Sequence, residues 1–231
     1  MMNSNEYKFA PYSFSKINTY LNCPKRFHFQ YVLKVKQGDC DRSALVRGSA
    51  IHEMFEQHQK GKEPKQTPYT ADFKRALKRS EVKKIKEHLE STTKTCREIS
   101  FGLTKDFEPC KYTSKDALFR GRIDLAYNDN GMLTIVDYKT GKAKDEKYQN
   151  FDQLLLYSIY FFQRYKALMF CKVQFVYVDH DVVNSLVTER KYLENLKEHF
   201  LNTVKTIESA TEYNPKQSRL CAYCPYKDRC L

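Results

Sequence analysis

Glycine and proline are scarce, seven of each among 231 residues, well below what linker-rich or low-complexity chains carry. Together with 14% aromatic residues, this argues for a packed interior and against extensive disorder. Long apolar runs are also missing. The longest, Leu154 to Phe162, is broken by Ser158 and followed by Gln163, Arg164 and Lys166, short of the ~20 residues a bilayer span requires. A soluble chain is expected. The opening MMNSNEYKF has no apolar stretch and carries Glu6, so neither a secretory signal nor a mitochondrial presequence is expected, and a cytoplasmic, reducing compartment follows. Internal repeats, a phosphate-binding P-loop and a Gly-rich dinucleotide fingerprint are absent, so the chain carries no recognisable ATP motor.

What is abundant is positive charge. Forty Lys and Arg against twenty-eight Asp and Glu leave +12, with a pI near 9.2. Such an excess most often serves a polyanion, nucleic acid first, although a merely soluble basic protein or a membrane-surface binder has the same signature. Aromatics between Tyr12 and Tyr31 suit base stacking or, at helical spacing, a core. The eight cysteines are too few for a disulfide scaffold of this length. Cys221, Cys224 and Cys230 form Cys-x2-Cys-x5-Cys near the end, whereas Cys40, Cys96, Cys110 and Cys171 lie singly and read as thiols without chemistry.

Periodicity predicts a helical entry: Ser13 caps a helix to about Asn22, and Pro24 opens another to about Val32. A further helix with Ala50, Ile51, Met54 and Phe55 on one face carries His52 and ends before Gly61. After a connection over 61–69, residues 71–90 read as one charged amphipathic helix. Strand-like runs follow at 97–103, 117–127 and 132–139. A long apolar helix is expected over 148–170, strands over 172–179 and 182–189, and a last helix over 191–209.

Between two of these runs lies Asn130-Gly131, a strong hairpin signal. A two-residue turn there pairs residues whose numbers sum to 261 and sets Asp124 opposite Asp137. A four-residue loop makes the two diagonal neighbours, still on the same face. Facing carboxylates at ~5 Å between Cβ atoms repel unless a cation sits between them. Lys139 lies on the same face as Asp137. A carboxylate pair beside an ammonium suits divalent-metal phosphodiester hydrolysis, with Mg2+ or Mn2+. An ordinary cross-strand ion pair is the alternative. Gln153 and Tyr157, four apart on the next helix, could bond a phosphate backbone, and the His52 imidazole suits Mn2+.

These residues, in this order, resemble the RecB-like branch of the PD-(D/E)XK nuclease superfamily. Arg47 to His52 is similar to its helical His motif and Gly121 to Asp124 to its motif II. Val136 to Gly141 is similar to motif III, and Gln153 to Tyr157 to its Gln-x3-Tyr motif. The resemblance implies an α/β fold with a central mixed sheet flanked by helices, a restriction-endonuclease-like core. It implies metal held by His52, Asp124, Asp137 and the Tyr138 main-chain carbonyl, with Lys139 catalytic and Gln153 and Tyr157 on the DNA. Glu98 resembles a family glutamate, or could cap a sheet edge. Cys23-Pro24, joined with Cys221, Cys224 and Cys230, resembles the iron-sulfur staple of the AddB nuclease domain and the CRISPR-adaptation exonucleases. A [4Fe-4S] cluster requires such a four-thiolate set, and zinc fits the same cysteines.

The expected organisation is one nuclease domain, 1–231. Segments 13–35 and 210–231 form the staple, and 45–190 form the catalytic core with a helical insertion at about 61–95. The implied function is Mg2+- or Mn2+-dependent exonucleolytic hydrolysis of DNA, single-stranded by preference, in recombination, repair or phage DNA processing. It is a stand-alone form, phage- or prokaryote-like, serving a helicase, recombinase or CRISPR integrase, with no membrane partner. A non-catalytic DNA-binding adaptor or a zinc-stapled nucleic-acid-binding protein are the alternatives.

Overall fold

Ser13 begins the first helix as its chemistry predicts, its hydroxyl accepting from the Lys16 N–H at 3.2 Å. In this computed structural model, described over residues 7–91, 95–129 and 131–230, strand β1 (Tyr12–Ser13) leads into α1 (Phe14–Asn22). Helix α2 (Pro24–Phe27) starts on Pro24 and widens into a π-turn over His28–Val32, a departure from the regular helix expected to Val32. Then come α3 (Ser43–Gln59), α4 (Thr70–Ala76), α5 (Ser80–Ser91), β2 (Thr95–Leu103), β3 (Pro109–Cys110), β4 (Phe119–Asp129) and β5 (Met132–Lys139). Next come α6 (Asp152–Arg164), β6 (Phe170–Tyr177), β7 (Val182–Glu189) and α7 (Leu193–Ser209), followed by 3-10 turns over Arg219–Tyr223 and Lys227–Arg229. No described helix is long and apolar enough to cross a membrane.

The chain divides into two units. The first comprises the described residues within 1–42, 101–121 and 195–231, and so gathers both ends of the chain. There β1 runs parallel to the start of β4, and β3 pairs antiparallel with the end of β2. Phe27 packs edge-on against Phe9 and Tyr20 with centroids 5.5 and 5.4 Å away. The Glu208 carboxylate accepts from the Lys8 and Phe9 N–H groups and from the Tyr12 hydroxyl, at 3.0, 3.0 and 2.8 Å.

The second unit, 43–100 with 122–194, carries the strand order β2-β4-β5-β6-β7. β4/β5 and β6/β7 are antiparallel and β5/β6 parallel, so the sheet is mixed. The β4–β5 register runs from Asp129↔Met132 to Leu125↔Val136, the sum of 261 that the two-residue turn requires. Gly131 takes φ +92° and donates its N–H to Asn128 Oδ1 at 2.8 Å. Asn130 lies outside the described residues. On one face Leu125, Tyr127, Val136 and Tyr138 form a core with Ile51, Met54 and Phe55 of α3, Phe73 of α4, and Val82 and Ile85 of α5. Helix α6 covers the other, with Phe151 stacked on Phe175 at 5.7 Å.

Two further elements differ from expectation through long-range contacts. The single helix over 71–90 is broken at 77–79. Asp181, in the β6–β7 turn, accepts from the Ser80 N–H, the Ser80 hydroxyl and the Glu81 N–H at 3.0, 2.8 and 3.0 Å, which starts α5 afresh. The long helix over 148–170 shortens to α6. A 3-10 turn occupies Glu146–Tyr148, and the Arg190 guanidinium takes the carbonyls of Phe162, Tyr165 and Leu168 at 2.6–2.7 Å, ending the helix.

Candidate active site

Tyr138 decides which way its neighbours point. Its ring stacks on Phe55 with centroids 4.4 Å apart, and its hydroxyl accepts from Gln59 Nε2 at 3.0 Å. Strand alternation then turns Asp137 and Lys139 to the α6 face. Gln153 meets them there: Nε2 donates to Asp137 Oδ1 at 2.8 Å, and Oε1 accepts from Lys139 Nζ at 3.2 Å. Lys139 Nζ lies 2.6 Å from Asp137 Oδ2, yet that oxygen is buried without an aligned hydrogen bond. The close contact is an ion pair that leaves lone-pair capacity on Oδ2. Burial pushes the Asp137 carboxyl up to about 6, with Lys139 opposing and Asp124 adding to the shift.

Asp124 sits where the β4–β5 ladder stops. Its Oδ2 accepts from the Tyr138 N–H at 2.9 Å, the place a backbone carbonyl would otherwise fill, and lies 3.2 Å from His52 Nδ1. Because the N–H and C=O of a strand residue leave on the same side, the Tyr138 carbonyl shares that edge. Burial alone would lower the His52 pKa. The Asp124 hydrogen bond and the charges of Asp124 and Asp137 outweigh it, and the pKa is raised although Lys139 opposes. The structure thus brings His52, Asp124, Asp137, Lys139 and the Tyr138 main chain together.

Gln153 and Tyr157 are placed differently from a phosphate-facing pair. Tyr157 is buried, and its hydroxyl accepts from Gln153 Nε2 at 3.0 Å. Gln153 turns inward onto Asp137 and Lys139, and Tyr157 backs it. Glu98 lines a cavity of about 520 Å³ with His52, Glu53, Glu56, Arg122 and Asp124. Its interaction with Glu56 raises the Glu98 carboxyl and lowers that of Glu56, while Lys60 contacts both.

Glu56 escaped the sequence reading, although its position four residues after His52 puts it on the same helix face. Arg47 opens the His52 motif, but the sequence assigned it no partner. Its guanidinium bonds Asp72 at 2.7 Å, Asp179 twice at 2.8 Å and the Thr140 carbonyl at 3.2 Å, tying α3 to the end of β5. A Cβ on Gly48 would stand 3.1 Å from Thr140 Oγ1, so the glycine permits the close approach that brings His52 to the sheet.

In the first unit, Cys23, Cys221, Cys224 and Cys230 line one pocket of about 390 Å³. Burial raises the Cys230 thiol, and Cys23, Cys224 and Cys221 raise it further, so the four sulfurs lie within each other's field. Among the described residues no group of three or more His, Cys, Asp or Glu side chains is closed up to hold a metal ion, at this pocket or at the carboxylates. The described residues thus do not show the expected iron-sulfur site as a ligand cage, although its soft, four-thiol donor set suits such a group. The hard oxygens of Asp124 and Asp137, one of them lacking an aligned partner, suit a hard divalent cation.

The sequence matches the PD-(D/E)XK nuclease superfamily over residues 11–231. The chain belongs to that superfamily. PD-(D/E)XK nucleases generally use divalent metals such as Mg2+ or Mn2+ and act on nucleic acid. No curated protein matches. Among solved structures, the fold is similar to the protein named "Putative exonuclease" from Eubacterium rectale, with a TM-score of 0.52 and 15% identity over 100% of this chain and 92% of that one. A second, SSO0001, gives a TM-score of 0.42 and 14% identity over 93% and 84%. Asp137 and Lys139, the candidate acid-x-lysine pair, both lie on β5.

Proposed function

We propose that this chain is a DNA exonuclease of the RecB-like branch, hydrolysing phosphodiesters with Mg2+ or Mn2+ and preferring single strands. The observation that carries the reading is the convergence of Asp124, Asp137, Lys139 and His52 where β4 and β5 part. The exonuclease-named neighbour and the +12 charge support it.

His52, Asp124, Asp137 and the Tyr138 carbonyl would hold the metal. Once bound, it supplies Lewis-acid polarisation of the phosphate and a lowered pKa for water. The rest is done by the chain. Gln153 fixes Asp137 and Lys139 relative to each other, and the Lys139 ammonium is placed to offset the negative charge that builds on the phosphoryl oxygens. Asp124 fixes the His52 ring through Nδ1. Glu98 and Glu56 line the cavity that admits the phosphate.

Cys23, Cys221, Cys224 and Cys230 are assigned to a [4Fe-4S] staple, supported by their common pocket. The products suit recombination, repair or phage DNA processing beside a helicase, recombinase or integrase.

End-labelled single strands of both polarities, digested with Mg2+ or Mn2+, test the assignment. Cleavage is expected from one end with either metal and none with EDTA. Asp124→Ala and Lys139→Ala should each lower it by at least about 100-fold while DNA affinity stays near wild type. Undiminished cleavage in either purified variant contradicts the assignment.

A further inference from the structure

The segment leaving Lys139, residues 140–151, is held with unusual care for a surface loop. Asn184, 3% exposed, donates to the Lys144 carbonyl at 2.9 Å and to Gln149 Oε1 at 3.3 Å. The Tyr177 hydroxyl donates to Gln149 Oε1 at 2.6 Å. Asp145 caps the 3-10 turn between them, accepting from the Lys147 N–H at 3.2 Å. Spending a buried asparagine and a tyrosine hydroxyl on one loop specifies its shape.

On this fixed frame Tyr148 is 73% exposed, the most exposed aromatic ring among the described residues. Lys147 Nζ lies 4.8 Å from its ring centre. Two acids share the loop, but Asp145 is occupied by the cap and lies 3.6 Å from Lys147 Nζ. Lys142 and Lys144 have no carboxylate partner among the described residues. Tyr177, which anchors Gln149, is the register partner of Lys139 across β5–β6. The loop is thus moored one strand spacing, ~5 Å, and a phenol's length from the reacting lysine.

We infer that this loop is a stacking platform for the single strand: Tyr148 stacks on a base, and Lys142 and Lys144 hold phosphates, a few nucleotides from the scissile bond. The inference rests on the nuclease reading and deepens it. A single strand fits better than a duplex, because the faces of paired bases are already covered by their neighbours, whereas an unstacked base offers one to a ring. The lysines supply the sequence-independent grip that a polyanion requires.

Two measurements on the full chain test it. Binding of fluorescent oligo(dT) in Ca2+ buffer, without turnover, reads the platform; hydrolysis of bis(p-nitrophenyl) phosphate with Mn2+ reads the reaction centre without a polymer. Tyr148→Ala should weaken oligo(dT) binding about 5- to 100-fold, Tyr148→Trp should restore it, and hydrolysis of the small ester should be unchanged. An oligomer made abasic throughout should bind wild type and Tyr148→Ala equally. Equal oligo(dT) affinity in wild type and Tyr148→Ala overturns the platform. If wild type hydrolyses neither the small ester nor end-labelled DNA, the nuclease reading fails instead, and the oligo(dT) comparison still decides whether the loop binds single strands.

Discussion

Gln153 grips Asp137 with its amide nitrogen at 2.8 Å, and the same side chain accepts from Lys139 through its carbonyl oxygen at 3.2 Å. One residue therefore sets the spacing between a candidate metal-binding acid and the candidate catalytic ammonium. Gln153→Leu keeps the volume and loses both bonds. Turnover is expected to fall about 10- to 100-fold, with the half-saturating Mn2+ concentration rising and KM for DNA little changed. A Mn2+ titration of initial rates separates this from a packing defect, which would leave the metal dependence alone.

Arg47 ties Asp72, Asp179 and the Thr140 carbonyl together. Its removal leaves the partly buried Asp179 carboxylate without its partner, whereas Asp72 keeps Arg75. Arg47→Ala should cost about 1–3 kcal/mol, or roughly 2–10 °C in Tm. Arg47→Lys should recover only part, because an ammonium cannot span both carboxylates as a guanidinium fork does. Thermal unfolding of the three proteins side by side gives the ranking.

Asp181 makes α5 sensitive to acid. The Glu81 N–H lowers its carboxyl below the ordinary 3.8; partial burial pulls upward, and the Ser80 hydroxyl and N–H then lower it further. With the folded value beneath the unfolded one, its stabilisation is complete above about pH 4 and drains away as pH falls through the folded value. Asp181→Asn keeps the left-handed backbone at φ +56°, which asparagine tolerates, and removes the charge. The variant should be less stable by about 0.5–1 kcal/mol at pH 6–7, with the gap closing below pH 4. Urea midpoints across that range measure it; a gap that stays constant would rule the linkage out.

Gly48 lets α3 approach Thr140 closely. Gly48→Ala should shift the helix that bears His52 by a few tenths of an ångström and lower turnover by up to about 10-fold. Combining it with Thr140→Ala, which removes the obstructing hydroxyl, should return most of the lost rate. Steady-state kinetics of the pair supply the check.

The four-cysteine pocket predicts a brown protein after anaerobic purification, with iron and acid-labile sulfide in equal amounts. Cys23→Ala or Cys230→Ala should be colourless and less stable by at least about 3 kcal/mol. A colourless wild type carrying zinc would replace the cluster with zinc at the same residues.

The parts of this molecule that the sequence makes legible are those set by local chemistry. Asn130-Gly131 fixes the β4–β5 register, and alternation from it puts Asp137 and Lys139 on one face. The four-residue spacing of Gln153 and Tyr157 correctly places both on one side of α6. What that side faces was not legible, because it depends on how α6 crosses the sheet, and the pair turns out to serve Asp137 rather than solvent. The break between α4 and α5 is invisible locally, since its cause, Asp181, lies a hundred residues further along the chain. Arg47 is illegible for the same reason: its partners come from three separate segments. Glu56 could have been found by extending the His52 face one turn.

The hydrogen bond from the Tyr138 N–H to Asp124 fixes how long the acid at position 124 can be. A glutamate there would carry its oxygens one methylene further, either overshooting the amide or wedging the two strands apart. The two acids of the site are therefore not interchangeable, for reasons of architecture before chemistry. The first is a spacer cut to the width of a forked ribbon, whereas the second is clasped from a neighbouring helix by an amide with reach to spare.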